Sequence, residues 1–110
     1  MKVKRMGKFI KLITFGWPTA ITLAPFGIYI DERYIKDEAI IRHESIHWKQ
    51  QTEMLYIFFY LWYLIEWIVK LFIYGKKAYY NISFEREARL AEDNITYIHY
   101  RKHYYWVKFL

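Results

Sequence analysis

The 110-residue chain contains no cysteine, which excludes disulfide bonds, thiolate metal ligands and a thiol nucleophile. Any metal site must therefore use histidine, aspartate or glutamate. Proline and glycine are scarce, and neither occurs between Ile28 and Tyr74, so turns are disfavoured over that stretch. A chain of this length has room for one modest core. The sequence therefore predicts a single domain over residues 1–110.

Acidic residues are outnumbered, 11 against 17 Lys and Arg, which gives a formal net charge of +6. A basic balance suits a nucleic acid or an anionic membrane surface. Aromatic residues make up 23% of the chain, and such amphipathic rings collect where apolar and wet surroundings meet. Because they lie mainly in apolar runs rather than among Lys and Arg, the composition favours a membrane surface as partner and disfavours a nucleic acid.

Residues 1–13 form a basic segment followed by a partly apolar stretch, superficially like a signal peptide. Lys8 and Lys11 interrupt the segment, and no small-residue cleavage site stands out. We therefore expect no cleaved signal peptide, and a location in the cytoplasm or at a membrane.

Residues 14–35 predict short strands. Two runs of β-branched and aromatic residues, 21–23 and 28–30, flank the turn-forming sequence Ala-Pro-Phe-Gly. Good helix formers then dominate, and Asp37 is a suitable N-cap. The expected fold is α+β and mainly α: a small N-terminal β-hairpin followed by helices.

Residues 38–74 predict a first helix and then an apolar, aromatic one that ends at Gly75 as C-cap. Residues 54–65 carry no charge, and the apolar stretch is close to the length that spans a bilayer. Glu66 and Lys70 interrupt it, four residues apart, where they can pair on one helix face. Two interpretations stay open: a core helix wrapped by the domain, or a helix that dips into or lies on a membrane.

Residues 82–99 predict a further helix, capped by Asn81 or Ser83. Residues 100–110 form a basic, aromatic tail that either lies at a membrane surface or packs on the core. His99 and His103, four residues apart, could bind metal together, but in this basic segment we expect them to face solvent or phosphate headgroups.

The run His43-Glu44-Ser45-Ile46-His47 is the most informative pattern in the chain. Two histidines four apart project from one helix face and can bind one zinc ion, while Glu44 lies beside the metal, placed to act as a general base. A hydrolytic zinc site takes a third protein ligand and leaves one position for water.

Several downstream side chains could supply the third ligand. They are Glu66, Glu85, Glu87, Glu92, Asp93, His99 and His103. Glu85 and Glu87 are about 200° apart around a helix, so only one can face the metal and the other is expected in solvent. Ala88 lies on the side of Glu85 and would let two helices approach closely, which favours Glu85.

The histidine motif with Gln50 and Gln51, followed by the later run Asn-Ile-Ser-Phe-Glu-Arg-Glu-Ala at 81–88, resembles the gluzincin zinc metallopeptidases, especially their minimal single-domain members. The resemblance implies a zincin-like core and a zinc ion (Zn²⁺) held by three ligands. The implied ligands are His43, His47 and Glu85, with Glu44 as general base in hydrolysis of a peptide or protein substrate.

The resemblance also implies three supporting features. An edge strand, for which residues 27–30 are the candidate, would pair with extended substrate. Many relatives carry an aspartate that orients a histidine at the position of Arg89, so this chain departs from the pattern there. An oxyanion-stabilising side chain is expected, and the candidates are Tyr80, Tyr97, His99 and His103.

The leading hypothesis is therefore a zinc-dependent metallopeptidase that acts near a membrane. The alternative is a catalytically silent, membrane-associated protein with a structural zinc site. A basic nucleic-acid binder with stacking aromatic residues ranks last.

Overall fold

A computed structural model describes residues 3–7 and 20–110. Its small sheet contains β1 (Val3–Arg5), β2 (Ala20–Leu23) and β3 (Gly27–Ile30). The strand order is β1-β3-β2, with β1 parallel and β2 antiparallel to β3. The predicted hairpin is confirmed as β2 and β3. A strand within the first 13 residues was not predicted, and the predicted strand residues 14–19 lie outside the described residues.

β3 is the central strand of this sheet. Its residue Ile28 pairs with Val3 on one side and with Thr22 on the other. The expectation that residues 27–30 form an edge strand beside the site is therefore wrong. β2 is the strand next to the helices, where the Gln51 side chain donates to the backbone oxygen of Thr22.

Five helices follow the sheet. They are α1 (Glu38–Glu53), α2 (Ile57–Tyr74), α3 (Ala78–Asn81), α4 (Ser83–Ala91) and α5 (Tyr97–Tyr100). Short 3-10 turns lie at Glu32–Tyr34, Gly75–Lys77 and Tyr105–Phe109. The fold is mainly helical with a small sheet, as predicted.

Local sequence explains the ends of the first two helices. Asp37 caps α1, and its carboxylate accepts hydrogen bonds from two backbone N–H groups of the first turn. Leu55 and Tyr56 take positive φ angles of 54° and 62°, so the chain turns between α1 and α2 without glycine. Gly75, with φ 59°, ends α2 as predicted.

The helix predicted over 82–99 is divided, because residues 92–96 form a turn between α4 and α5. Neither Asn81 nor Ser83 caps α4 with its side chain. Instead, the buried carboxylate of Glu66 accepts hydrogen bonds from the backbone N–H and the hydroxyl of Ser83. The first N–H groups of a helix lack intrahelical partners, so a side chain from α2 supplies the cap.

Two apolar clusters hold the helices together. One contains Phe59, Ile82, Phe84 and Trp106, so the C-terminal tail packs on the core between α2 and α4. The other contains Ile46, Ala88 and Ala91 and joins α1 to α4. The small side chain at position 88 is completely buried, in agreement with the predicted close approach of the two helices.

α2 packs on the rest of the described chain through a narrow stripe. Phe59 and Glu66 are its only buried residues, and Tyr63 and Lys70 are half-buried. The predicted pair of Glu66 and Lys70 is confirmed, with 3.6 Å between Oε1 and Nζ. The described chain has one helical stretch, Ile57–Ala91, that could cross a membrane by length and composition, and α2 opens it.

Candidate metal centre

α1 and α4 bring the three predicted ligands together. Glu85 Oε1 lies 3.2 Å from Nε2 of His43 and 3.0 Å from Nε2 of His47. One ligand atom from each residue lies within 4.8 Å of the others, so the group can hold a metal ion. Glu87 faces away from this cluster, as the helical spacing predicts for one of the two glutamates.

The donor set fits a small divalent cation. Nitrogen and oxygen ligands lie about 2.0–2.2 Å from zinc, which places two tetrahedral ligands roughly 3.3 Å apart. The two distances from Glu85 to the imidazole nitrogens, 3.2 and 3.0 Å, are close to that separation. Two imidazoles and one carboxylate also leave a fourth position of a tetrahedron for another ligand.

Both histidines are oriented through their second ring nitrogen. His43 Nδ1 lies 2.7 Å from Oε2 of Glu92, and His47 Nδ1 lies 2.8 Å from Oε1 of Gln50. A carboxylate or amide oxygen can only accept, so each Nδ1 carries a proton and donates it. Each Nε2 is thereby directed at Glu85, which is how metal-binding histidines are usually held.

Glu92 takes the position that the sequence left without an orienting acid. Arg89, at the position where the resemblance implies an aspartate, donates instead to the backbone oxygen of Tyr80. Glu92 directly follows α4 and comes seven residues after Glu85, about two helical turns, so it lies on the same side of the helix axis as Glu85. That spacing was the available signal, but sequence reasoning treated Glu92 only as a candidate ligand.

Gln50 connects His47 to a buried ion network. Its Nε2 donates to Glu87 Oε1 over 3.0 Å. Glu87 is completely buried and is bound by Arg101, which also forms two hydrogen bonds of 2.9 Å with Glu53. The prediction that the second glutamate of α4 lies in solvent is therefore wrong. It anchors the amide that orients a ligand.

Proton binding at His47 reflects the negative charge of the site. Burial lowers its affinity for a proton, but the carboxylate of Glu85, and that of Glu44 more weakly, raise the pKa of His47 to about 10. Burial likewise favours the neutral acid at Glu85, yet His47 and His43 hold its pKa well below the usual range. In the metal-free protein a proton supplies the positive charge that a metal ion would supply.

Glu44 lies beside the three ligands. Its Oε2 is 3.9 Å from His43 Nε2, and its Oε1 accepts a hydrogen bond of 3.0 Å from the hydroxyl of Thr22. Because Thr22 belongs to β2, the sheet fixes the carboxylate that the sequence predicts as the general base.

Two tyrosines that sequence reasoning did not select complete the site. The Tyr63 hydroxyl donates to Glu85 Oε2 over 3.1 Å, and the Tyr79 hydroxyl donates to Oε1 over 2.9 Å. Burial, followed by the charge of Glu85, raises the pKa of Tyr79, so its hydroxyl stays protonated as a donor. Tyr63 lies on the packed stripe of α2, but only the fold reveals which tyrosines of an aromatic chain face the ligands.

The other predicted candidates lie elsewhere. Tyr97 donates to Glu87, while His99 and His103 are exposed. Tyr80 is 57% exposed and stacks edge-on against its neighbour Tyr79. Two acidic residues considered as ligands are also placed apart: Glu66 caps α4, and Asp93 is exposed.

No family model, curated protein or solved structure matches this chain. Its function is therefore inferred from the geometry of the site.

Proposed function

We propose that this protein is a zinc-dependent metallopeptidase of the gluzincin type, built on a zincin-like minimal core. The observation that carries the proposal is the convergence of His43, His47 and Glu85, with both imidazoles oriented through Nδ1. Two imidazoles and a carboxylate suit zinc, and the absence of thiolates is compatible with a hydrolytic site. Bound zinc would lower the pKa of a coordinated water and polarise a carbonyl group.

The chain's own residues supply the proton transfers and the orientation. Glu44 accepts a proton from the attacking water and passes it to the leaving amine. Thr22 holds that carboxylate in position through its hydroxyl. The Tyr63 and Tyr79 hydroxyls lie beside Glu85, and by turning their single O–H from that carboxylate to the carbonyl oxygen they would stabilise the negative charge that develops there. Overall, one water is added across a peptide bond, giving a carboxylate and a protonated amine.

Metal content and proteolysis test this proposal separately. Purified protein should contain about one zinc per chain, and His47→Ala should lose it. Glu44→Gln should keep the zinc but lose hydrolysis by roughly 10²–10⁴-fold. His99→Ala is the matched control, because this histidine is exposed and lies apart from the ligands, and it should retain both. Metal-free wild-type protein would refute the zinc site, whereas zinc without hydrolysis of any peptide would support the structural-zinc alternative.

We also propose that α2 attaches the protein to a membrane. All but four of its 18 residues are exposed, and these 14 are all apolar or aromatic. The two charged residues, Glu66 and Lys70, lie on the packed stripe. This is the reverse of a water-facing amphipathic helix. A protein partner would cover one face, whereas the exposed side chains surround most of the helix, as a lipid phase would.

The packing favours a helix that lies in the membrane surface. The rest of the protein contacts the stripe from Phe59 to Lys70, along most of the roughly 27 Å length of α2. The domain therefore stays on the water side while the opposite faces enter the lipid. The exposed Lys76 and Lys77 follow directly and, with the net charge of +6, suit anionic headgroups.

Flotation with vesicles tests this attachment. Wild-type protein should float with phosphatidylcholine vesicles that contain about one part in four of phosphatidylglycerol. Ile68→Glu with Phe72→Glu should reduce flotation, since both side chains are exposed on α2. The matched control replaces Leu90 and Ile95, which are also exposed but outside α2, with Glu. A soluble oligomer that does not float would instead mean that a second copy covers α2.

A further inference from the structure

The three ligands lie where two cavities meet. The smaller cavity, about 400 Å³, lies between β2 and α2 and reaches His47 and Glu85. The wider one, about 1120 Å³, reaches His43. Glu44 and Trp67 line both, so an extended chain that runs from one cavity into the other passes the metal ligands and the general base.

The mouth of the smaller cavity belongs to the exposed apolar surface of α2. Tyr60, Leu64 and Trp67 line the cavity and are also 40%, 51% and 41% exposed. The opposite wall consists of β2, with half-buried Ile21 and Leu23. The approach to the ligands from this side is therefore apolar on both walls.

The wider cavity has a different character. Besides His43 and Glu44, its lining includes the charged residues Asp37, Lys76 and Glu92. In the smaller cavity, the only charged residues of the described lining are those of the catalytic cluster itself. The cleft thus passes from an apolar entrance beside α2 to a wider region that carries more charged side chains and that water can fill.

We infer that the substrate is a polypeptide segment held at a membrane surface, and that it enters the site from the lipid side, between β2 and α2. This inference rests on the proposed peptidase function and on the attachment of α2. With α2 in the interface, Leu64 and Trp67 place the entrance at the boundary between headgroups and acyl chains. A segment that emerges from lipid can follow the apolar walls to the ligands.

The wider cavity, with its charged side chains, supplies water for the reaction. Water reaches the ligands through this cavity. The water oxygen forms a bond to the carbonyl carbon of the peptide, and the carbon–nitrogen bond breaks. Glu44 carries the proton from the water to the amine nitrogen, so no other reactant is required. The proton of the new carboxyl group passes to the amine as well, so the products are a carboxylate and an ammonium group, and these charges favour release into water.

Paired peptides on vesicles test the direction of entry. One peptide carries an N-terminal palmitoyl group and the other an acetyl group, with the same sequence and fluorogenic reporter. Zinc-loaded protein is bound to phosphatidylcholine vesicles containing phosphatidylglycerol. The anchored peptide should show a value of kcat/KM about tenfold higher or more, because both partners share the surface.

Attachment of enzyme and peptide to the same vesicle would by itself raise kcat/KM for the palmitoylated peptide. Two variants therefore separate the effect of the cavity mouth from the effect of membrane attachment. Leu64→Glu changes the cavity mouth, whereas Leu61→Glu places the same charge on α2 outside the lining; the two side chains are 51% and 53% exposed. Both should bind vesicles equally, and only Leu64→Glu should lose the preference for the anchored peptide.

Binding to zinc-loaded Glu44→Gln, measured by fluorescence anisotropy on vesicles, gives a readout that does not need turnover. Stronger binding of the anchored peptide, weakened by the additional Leu64→Glu but not by Leu61→Glu, would support lipid-side entry even in a protein without peptidase activity. Equal use of the two peptides, or equal loss in the two leucine variants, would overturn it. Absence of cleavage with this binding pattern intact would count against the peptidase alone.

Discussion

Replacement of Arg101 by glutamine should destabilise the protein strongly, although this residue lies in the C-terminal segment and contacts no ligand directly. Its guanidinium forms four hydrogen bonds of 2.6–3.0 Å with two carboxylates, Glu53 and Glu87. The three side chains are 3%, 3% and 0% exposed. Without the arginine, the completely buried Glu87 would lack a positive partner, and Glu53 would keep only the exposed imidazole of His103, 3.5 Å away.

The expected magnitude follows from that burial. Removing one partner of a buried ion pair costs about 3–5 kcal/mol, against a total of about 5–15 kcal/mol for a typical domain. Arg101→Lys keeps the charge but loses the paired planar contacts, so it should lie between wild type and Arg101→Gln. Arg33→Gln is the exposed control, because the Arg33 side chain is 75% exposed and water screens its pair with Asp31, so this change should have little effect on stability.

Urea unfolding, followed by circular dichroism in detergent micelles with a chelator present, measures this difference without a contribution from zinc. A second effect should appear in competition titrations with a chelator. Since Glu87 holds Gln50 and Gln50 orients His47, Arg101→Gln should weaken zinc binding by about 10–100-fold. Unfolding free energies for Arg101→Gln and Arg33→Gln that agree within about 1 kcal/mol would refute the reasoning.

Other predictions follow from single contacts. Glu92→Ala should weaken zinc binding by about 10–100-fold in the same titration, because His43 Nδ1 would lose the acceptor that orients its ring. A variant that binds zinc as tightly as wild type would contradict this. Zinc binding at pH 7 should release about one proton from His47, whose metal-free pKa is about 10, as calorimetry in two buffers can measure. This pKa exceeds the ordinary 6.5, so the metal-free protein should lose stability as pH rises from 6.5 toward 10. Free energies of urea unfolding that stay constant over this pH range would contradict the prediction. Glu66→Ala should lower the free energy of unfolding by about 1–3 kcal/mol, because the start of α4 would be left uncapped. Glu38→Ala is the control for thermal unfolding, where it should have little effect because the Glu38 side chain is 84% exposed.

The features that the sequence predicted correctly depend on neighbours within a few residues. Asp37 and Gly75 mark helix ends through local backbone chemistry, and His43 and His47 share a face because of the helical repeat. Glu85 required one further step, the expectation that a small residue after it permits close helix packing. The structure brings these three side chains together through that helical repeat and that close helix packing.

The features that were missed depend on residues far apart in the chain. The carboxylate that caps α4 comes from 17 residues earlier, at Glu66. The acid that orients His43 lies 49 residues later, at Glu92, and β1 pairs with a strand more than 20 residues away. Single-sequence periodicity carries no information on such pairings. Helical periodicity also led to the wrong expectation that Glu87 lies in solvent, because it does not reveal that Arg101, from another segment, is buried beside this glutamate.

The composition of the interior connects the metal site with the exposed helix. Among the described residues, twelve apolar and ten polar or charged side chains are buried. Buried hydrogen bonds and ion pairs add little net stability compared with apolar burial, and a chain of 110 residues has little apolar surface to spare. Yet α2 leaves 14 apolar side chains outside that interior. α4 contacts both regions through adjacent residues: Phe84 packs on α2, and Glu85 faces the histidines of α1. On the proposals made above, metal bound at Glu85 and lipid covering α2 would both stabilise α4, and together they would offset the small apolar interior.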